Sequence, residues 1–175
     1  SGIYSPTNKR ALKRDRYMDR IAAIRKKRKG IELLQEGEKH IAKKAYDKGQ
    51  AAFSSALKIM PDDYCANVLM AKVLLMRKQP QKALAYTNRA KKIYGSEGQG
   101  FYLSGFANMS VKQFDRSYQD FQKYEQLLPG NPQVTFFKGY SLDKKGSREP
   151  AAKSYIRYLE MTGYQPNNYS KYAYS

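Results

Sequence analysis

Between Gly98 and Asn131 the sequence GQGFYLSGFANMSVKQFDRSYQDFQKYEQLLPGN reads as a helix, a short turn, a second helix and a proline stop, and the pattern recurs along the chain. Small residues stand at Gly37, Ala71, Gly105 and Gly139, each 34 residues from the next. A second small row, Gly49, Ala83, Ser117 and Ala151, keeps the same step, and so does the row facing it, Phe53, Thr87, Phe121 and Tyr155. Repeat ends fall at Pro61, Gly95, Pro129 and Gly163, residues that cannot continue a helix easily or that favour its left-handed cap. A small residue on the first helix of each pair lets the second approach closely, and the bulky residue opposite fills what remains. The pattern predicts four helical hairpins, at 30–63, 64–97, 98–131 and 132–165.

Ahead of them, Ser5-Pro6 reads as a helix start, with serine as cap and proline in the first turn. Tyr17, Ile21 and Ile24 make one apolar stripe among charges, so residues 1–29 predict a basic amphipathic helix rather than a disordered tail. Its end, Arg25, Lys26, Lys27, Arg28 and Lys29 before Gly30, puts positive charge at the negative end of the helix dipole and predicts a glycine stop. The stripe is expected to pack onto the first hairpin as a linker or capping helix. Beyond Pro166, Tyr169, Tyr172 and Ala173 occupy the next slots, so 166–175 predicts the start of a fifth first-helix, cut short where a polar cap would be needed.

Phe101, Gly105, Phe114, Ser117, Phe121 and Pro129, with the 34-residue phase, are the residues by which the chain resembles the tetratricopeptide repeat family over 30–165. Thr87 in place of an aromatic, Gly49 in place of alanine, and Tyr124 and Tyr158 where alanine is usual depart from the family pattern. The resemblance implies an all-α right-handed superhelix, an α-solenoid, acting as a scaffold. Ligand contacts in the family come from the first-helix face that points away from the second helix. On this phase that face holds Leu34, Glu38 and Ile41, then Val68, Lys72 and Leu75, then Tyr102, Phe106 and Met109, then Phe136, Tyr140 and Asp143. The expected groove is aromatic and aliphatic, suited to a protein or peptide segment with apolar anchors. Only Lys72 is cationic there, which disfavours a receptor for a terminal carboxylate. Ser5-Pro6 and Arg10 ahead of the repeats are also similar to the junction in bacterial HExxH zinc metalloproteases that carry repeats after the protease domain, which would make this chain an accessory region.

Charge adds a second theme. The 175 residues carry 33 Lys plus Arg against 15 Asp plus Glu, a net of +18. Residues 1–29 hold 11 of the basic and 2 of the acidic residues, half of the excess in a sixth of the chain. Such a cluster sets up a field for nucleic acid, an anionic surface or an acidic partner. Cys65 is the only cysteine, so no internal disulfide is available. No apolar run is long enough to span a bilayer, and the start SGIYSPTNKR has no signal-peptide apolar region; a bacterial cytoplasmic or periplasmic setting, or a piece cut from a longer protein, is expected.

Candidate chemistry is sparse. There is no HExxH, no phosphate loop and no paired metal cysteines, so no enzyme and no cofactor are expected. His40, the only histidine, reads as structural, and Asp62-Asp63 reads as a helix start. The run Gly95 to Gly100 reads as a turn between repeats. Asn108-Met109-Ser110 and Asn168-Tyr169-Ser170 match a glycosylation pattern, the first within a predicted helix. Uncapped ends would allow pairing with another copy of the chain.

Overall fold

The computed structural model describes residues 6–163, with side chains from residue 15 onward. All regular structure among them is α-helical. Eight helices follow in order: α1 Pro6–Ala42, α2 Tyr46–Ile59, α3 Tyr64–Met76, α4 Pro80–Ile93, α5 Gly98–Ser110, α6 Phe114–Leu127, α7 Pro132–Lys144 and α8 Arg148–Met161. Each boundary from α2 to α6 recurs 34 residues later, so the sequence period is the structural period. The chain divides after Pro61 into two compact units, the α1/α2 hairpin and the stack α3 to α8.

Within each hairpin the two small rows do what their size predicts. Gly37, Ala71, Gly105 and Gly139 are buried, as are Gly49, Ala83, Ser117 and Ala151. A methyl group on Gly105 would stand 2.5 Å from Phe121 Cε1, and one on Gly37 would meet Phe53 Cδ1 at 2.6 Å, so the helices approach along bare backbone. Gly49, where the family pattern has alanine, is covered by Ile41, whose side chain turns onto α2. Asp63 caps α3 by accepting from Ala66 N at 2.9 Å, as the Asp62-Asp63 pair predicts, and Asn131 caps α7 through Val134 N at 3.3 Å.

The turn inside each hairpin is the same backbone device four times. Lys44, Lys78, Lys112 and Gly146 have φ of 61°, 58°, 63° and 91°. Each donates its N–H three residues back, and the next residue donates five back, as Ala45 N to His40 O at 2.9 Å and Gln113 N to Asn108 O at 2.8 Å. That is the Schellman close of a helix, in which glycine is the favoured left-handed residue. Lysine takes the position in three of the four turns and puts its charge at the negative end of the helix dipole.

Two boundaries differ from the sequence expectation. Gly30 does not stop a helix: α1 runs unbroken through it for 37 residues, about 55 Å at 1.5 Å per residue. Gly30 is buried instead, and an added Cβ would meet Met60 Sδ at 2.7 Å, so its smallness serves the close approach of the α2 end. Likewise Gly98 and Gly100 belong to the first turn of α5 rather than to a loop, and both are buried. The fifth helix expected over 166–175 and the serine cap at Ser5 lie outside the described residues, as does Asn168.

Candidate functional site

The residues expected to form a binding face occupy three slots on the first helix of each hairpin, and the slots have different fates. The first slot holds Leu34, Val68, Tyr102 and Phe136. Leu34 is 7% exposed and Phe136 2%, so both are core residues and not part of an open face; Val68 and Tyr102 are half-buried. For Phe136 the physical reason is a departure from the family pattern. Tyr158, in a slot that usually holds alanine, lays its ring 5.3 Å from Phe136, and Tyr124 does the same to Tyr102 at 5.5 Å. Tyr155 adds a second wall to Phe136 at 5.5 Å.

The second slot stays available. Glu38 and Lys72 are exposed, and Phe106 and Tyr140 are half-buried. Phe106 is held edge-on by Tyr102, Phe121 and Phe137, with centroids 4.9 to 5.0 Å away. Tyr140 rests between Phe114 and Phe137, each at 6.4 Å, and Lys144 Nζ lies 5.4 Å from its ring centroid. Rings fixed in this way lose little side-chain entropy on meeting a ligand. In the third slot Leu75 and Met109 are half-buried, Ile41 is spent on Gly49, and Asp143 is exposed and hydrogen-bonded by the Tyr155 hydroxyl. Burial, then the Asp143 carboxylate, pushes the Tyr155 phenol well above its ordinary value. In α3, α5 and α7 the open face is thus Lys72, Leu75, Phe106, Met109 and Tyr140, with Tyr102 at its edge. Tyr102 donates to Gln133 Oε1 at 2.9 Å, tying α5 to α7 along that edge.

Sequence reasoning missed the polar contacts between hairpins. Asp120, 6% exposed, accepts from Lys91 Nζ at 3.0 Å, Ser104 Oγ at 2.6 Å and Asn108 Nδ2 at 2.9 Å. These four residues come from α4, α5 and α6 and are up to 29 positions apart. One hairpin later the equivalent positions are Glu125, Lys138 and Ser154. There Glu125 accepts from Lys138 Nζ at 2.7 Å and from Thr135 Oγ1 at 2.8 Å, so an acid stands in the slot of Lys91 and a base in the slot of Ser104. The 34-residue phase marks these slots; nothing in the sequence marks them as buried.

In the first unit Arg25, Lys26, Lys27, Arg28 and Lys29 are all exposed. His40 Nε2 is 3.7 Å from Glu36 Oε1 on the same helix. Among the described residues no group of three or more His, Cys, Asp or Glu converges to hold a metal, and no helix is long and apolar enough to cross a membrane.

Two-helix hairpins stacked at a fixed period define the class of helical repeat proteins. Residues 40–99 match the family model described as Tetratricopeptide repeat. Among curated proteins none matches the sequence. The fold is shared with MamA, residues 41 to the end, from Desulfovibrio magneticus RS-1, at TM-score 0.72 and 22% identity, over 79% of this chain and 78% of that one. It is shared with the first TPR of Spaghetti (RPAP3) bound to HSP90 peptide SRMEEVD, at TM-score 0.65 and 17% identity, over 66% of this chain and 92% of that one. YrrB, described as a TPR protein with an unusual peptide-binding site, gives TM-score 0.68 and 20% identity, over 75% of this chain and 66% of that one. The metalloprotease junction finds no support among these.

Proposed function

We propose that the chain is a non-enzymatic scaffold that holds a protein segment against the face of α3, α5 and α7. The carrying observation is the pair Phe106 and Tyr140: two rings fixed by their neighbours, each only half-buried, at equivalent positions of successive repeats. Lys144 borders the Tyr140 ring, Lys72 holds the equivalent slot on α3 and Asp143 adds one carboxylate, so the ligand is an extended or helical segment with apolar anchors and few charges. Two of the structures that share the fold are described as binding peptides, which supports the same reading. The assignment of the repeats to 30–63, 64–97, 98–131 and 132–165 goes with it.

The test is a peptide array probed with the intact chain, with Phe106→Ala/Tyr140→Ala and with Lys72→Glu, each checked for unchanged helicity by circular dichroism. The reading expects a defined set of apolar-anchored peptides to be retained by the parent and lost by the double variant, with Lys72→Glu shifting the preferred flanking charge. Retention of the same peptides at the same affinity by the folded double variant would refute it.

A further inference from the structure

The exposed stripe of α1 is not an extension of the face that packs on α2. At about 100° per residue, Gly30, Leu34, Gly37 and Ile41 point one way, and Tyr17, Ile21, Ile24 and Ile31 point roughly 120° away from them. The burial pattern agrees: Leu34 and Gly37 are buried, while Tyr17 is 63%, Ile24 61% and Ile31 43% exposed. The stripe therefore does not cap the first hairpin, contrary to the sequence expectation. It is left open within its unit.

Its spacing is specific. Positions 17, 21, 24, 28, 31 and 35 alternate steps of four and three, the seam of a two-helix coiled coil, with Tyr17, Ile21, Ile24 and Ile31 as apolar members and Arg28 as a single charged one. An open pocket of about 440 Å³ on this helix is lined by Ile24, Lys27, Arg28, Ile31, Glu32 and Gln35. Those six are two successive sets at i, i+3, i+4 and i+7, each the hole into which one side chain of a facing helix fits. The flanking positions are Met18, Arg20, Arg25, Lys27, Glu32 and Leu34, three of them basic and Glu32 the only acid.

We infer that α1 docks an acidic amphipathic helix along Tyr17 to Gln35, with apolar side chains seated in these holes and a carboxylate opposite Arg28. A second copy of the chain in parallel register would set Arg28 against Arg28 and both Arg20 against Arg25, with only the Lys27 to Glu32 contacts attractive, so like charges on balance oppose self-pairing. A phosphate backbone would satisfy the arginines and leave the isoleucines without a partner.

The probe is a 21-residue synthetic peptide with Leu and Ile at its seam positions, Glu at both flanking positions and one Glu placed to face Arg28. A scrambled peptide of the same composition is the control. Titration by fluorescence anisotropy should show binding of the ordered peptide only. Ile24→Ser/Ile31→Ser should weaken it about tenfold or more, since both side chains are exposed in the free chain and the fold does not depend on them. Arg28→Glu should abolish binding, and a peptide with Lys at the facing position should restore it. Failure to bind the ordered peptide, or equal binding of the scrambled one, overturns the inference. So does concentration-dependent pairing of the chain through this stripe, or binding of duplex DNA or anionic vesicles that outcompetes the peptide and survives the serine changes.

Discussion

Replacing Gly105 by alanine sets two effects of opposite sign against each other. Glycine inside a helix costs about 1 kcal/mol relative to alanine, so propensity alone predicts a more stable protein. The added methyl would stand 2.5 Å from Phe121 Cε1 and 2.8 Å from Cδ1 and Cζ, where ordinary contact begins near 3.4 Å. Phe121 is fully buried, with Phe106 at 5.0 Å and Phe137 at 6.5 Å from its centroid, so its ring has nowhere to swing. Relief requires α5 and α6 to separate, and overpacking of this kind costs about 1–3 kcal/mol. The net expectation is a loss of up to about 2 kcal/mol, a fall in melting temperature of up to roughly 4–8 °C for a chain of this size. The chain contains its own comparison, because in the second repeat the equivalent pair is Ala71 and Thr87, a methyl tolerated opposite a smaller side chain. Gly100→Ala is the control: its nearest neighbour is the flexible Lys91 stem at 3.3 Å, and stability should hold or rise. Thermal and urea unfolding followed by circular dichroism decide the matter. If Gly105→Ala melts at or above the parent, the close approach of helices argued from the small rows is wrong.

Asp120→Ala removes the acceptor for Lys91, Ser104 and Asn108 and should cost about 2–4 kcal/mol in urea unfolding, most of it from leaving those donors unpaired. Lys112→Gly relieves a left-handed lysine at φ 63° and should raise stability by about 0.5–1 kcal/mol, whereas Lys123→Gly in the middle of α6 should lower it. The Tyr155 phenol is raised by burial and by Asp143, so its stabilising contribution is complete below the unfolded value near 10 and is lost as the pH climbs toward the folded value. Ultraviolet titration should show Tyr155 ionising late, and Tyr155→Phe should remove its part of that late step and part of the alkaline loss of stability.

The repeat architecture was legible because it rests on residue size at fixed intervals, and Gly37, Ala71, Gly105 and Gly139 must be small wherever two helix backbones meet. The binding face was legible in part. Phe106 and Tyr140 stay half-buried, but Leu34 and Phe136, in an equivalent slot, are buried, and whether a first-slot ring is covered depends on what stands opposite it, as Tyr158 does for Phe136. The glycine stop at Gly30 failed for a related reason: glycine serves both turns and close packing, and Met60, some thirty residues away, decides which. The network around Asp120 was invisible because each member alone looks like a solvated surface residue.

The different placing of acid and base at successive junctions restricts how this array can evolve. Repeat proteins ordinarily lengthen by copying a whole unit, since every junction resembles the last. Here a copy of residues 98–131 inserted after itself would bring Glu125 of one copy against Ser104 and Asp120 of the next, burying two carboxylates with no lysine between them. These two junctions are therefore not interchangeable, and duplication of this hairpin would need a compensating change of charge.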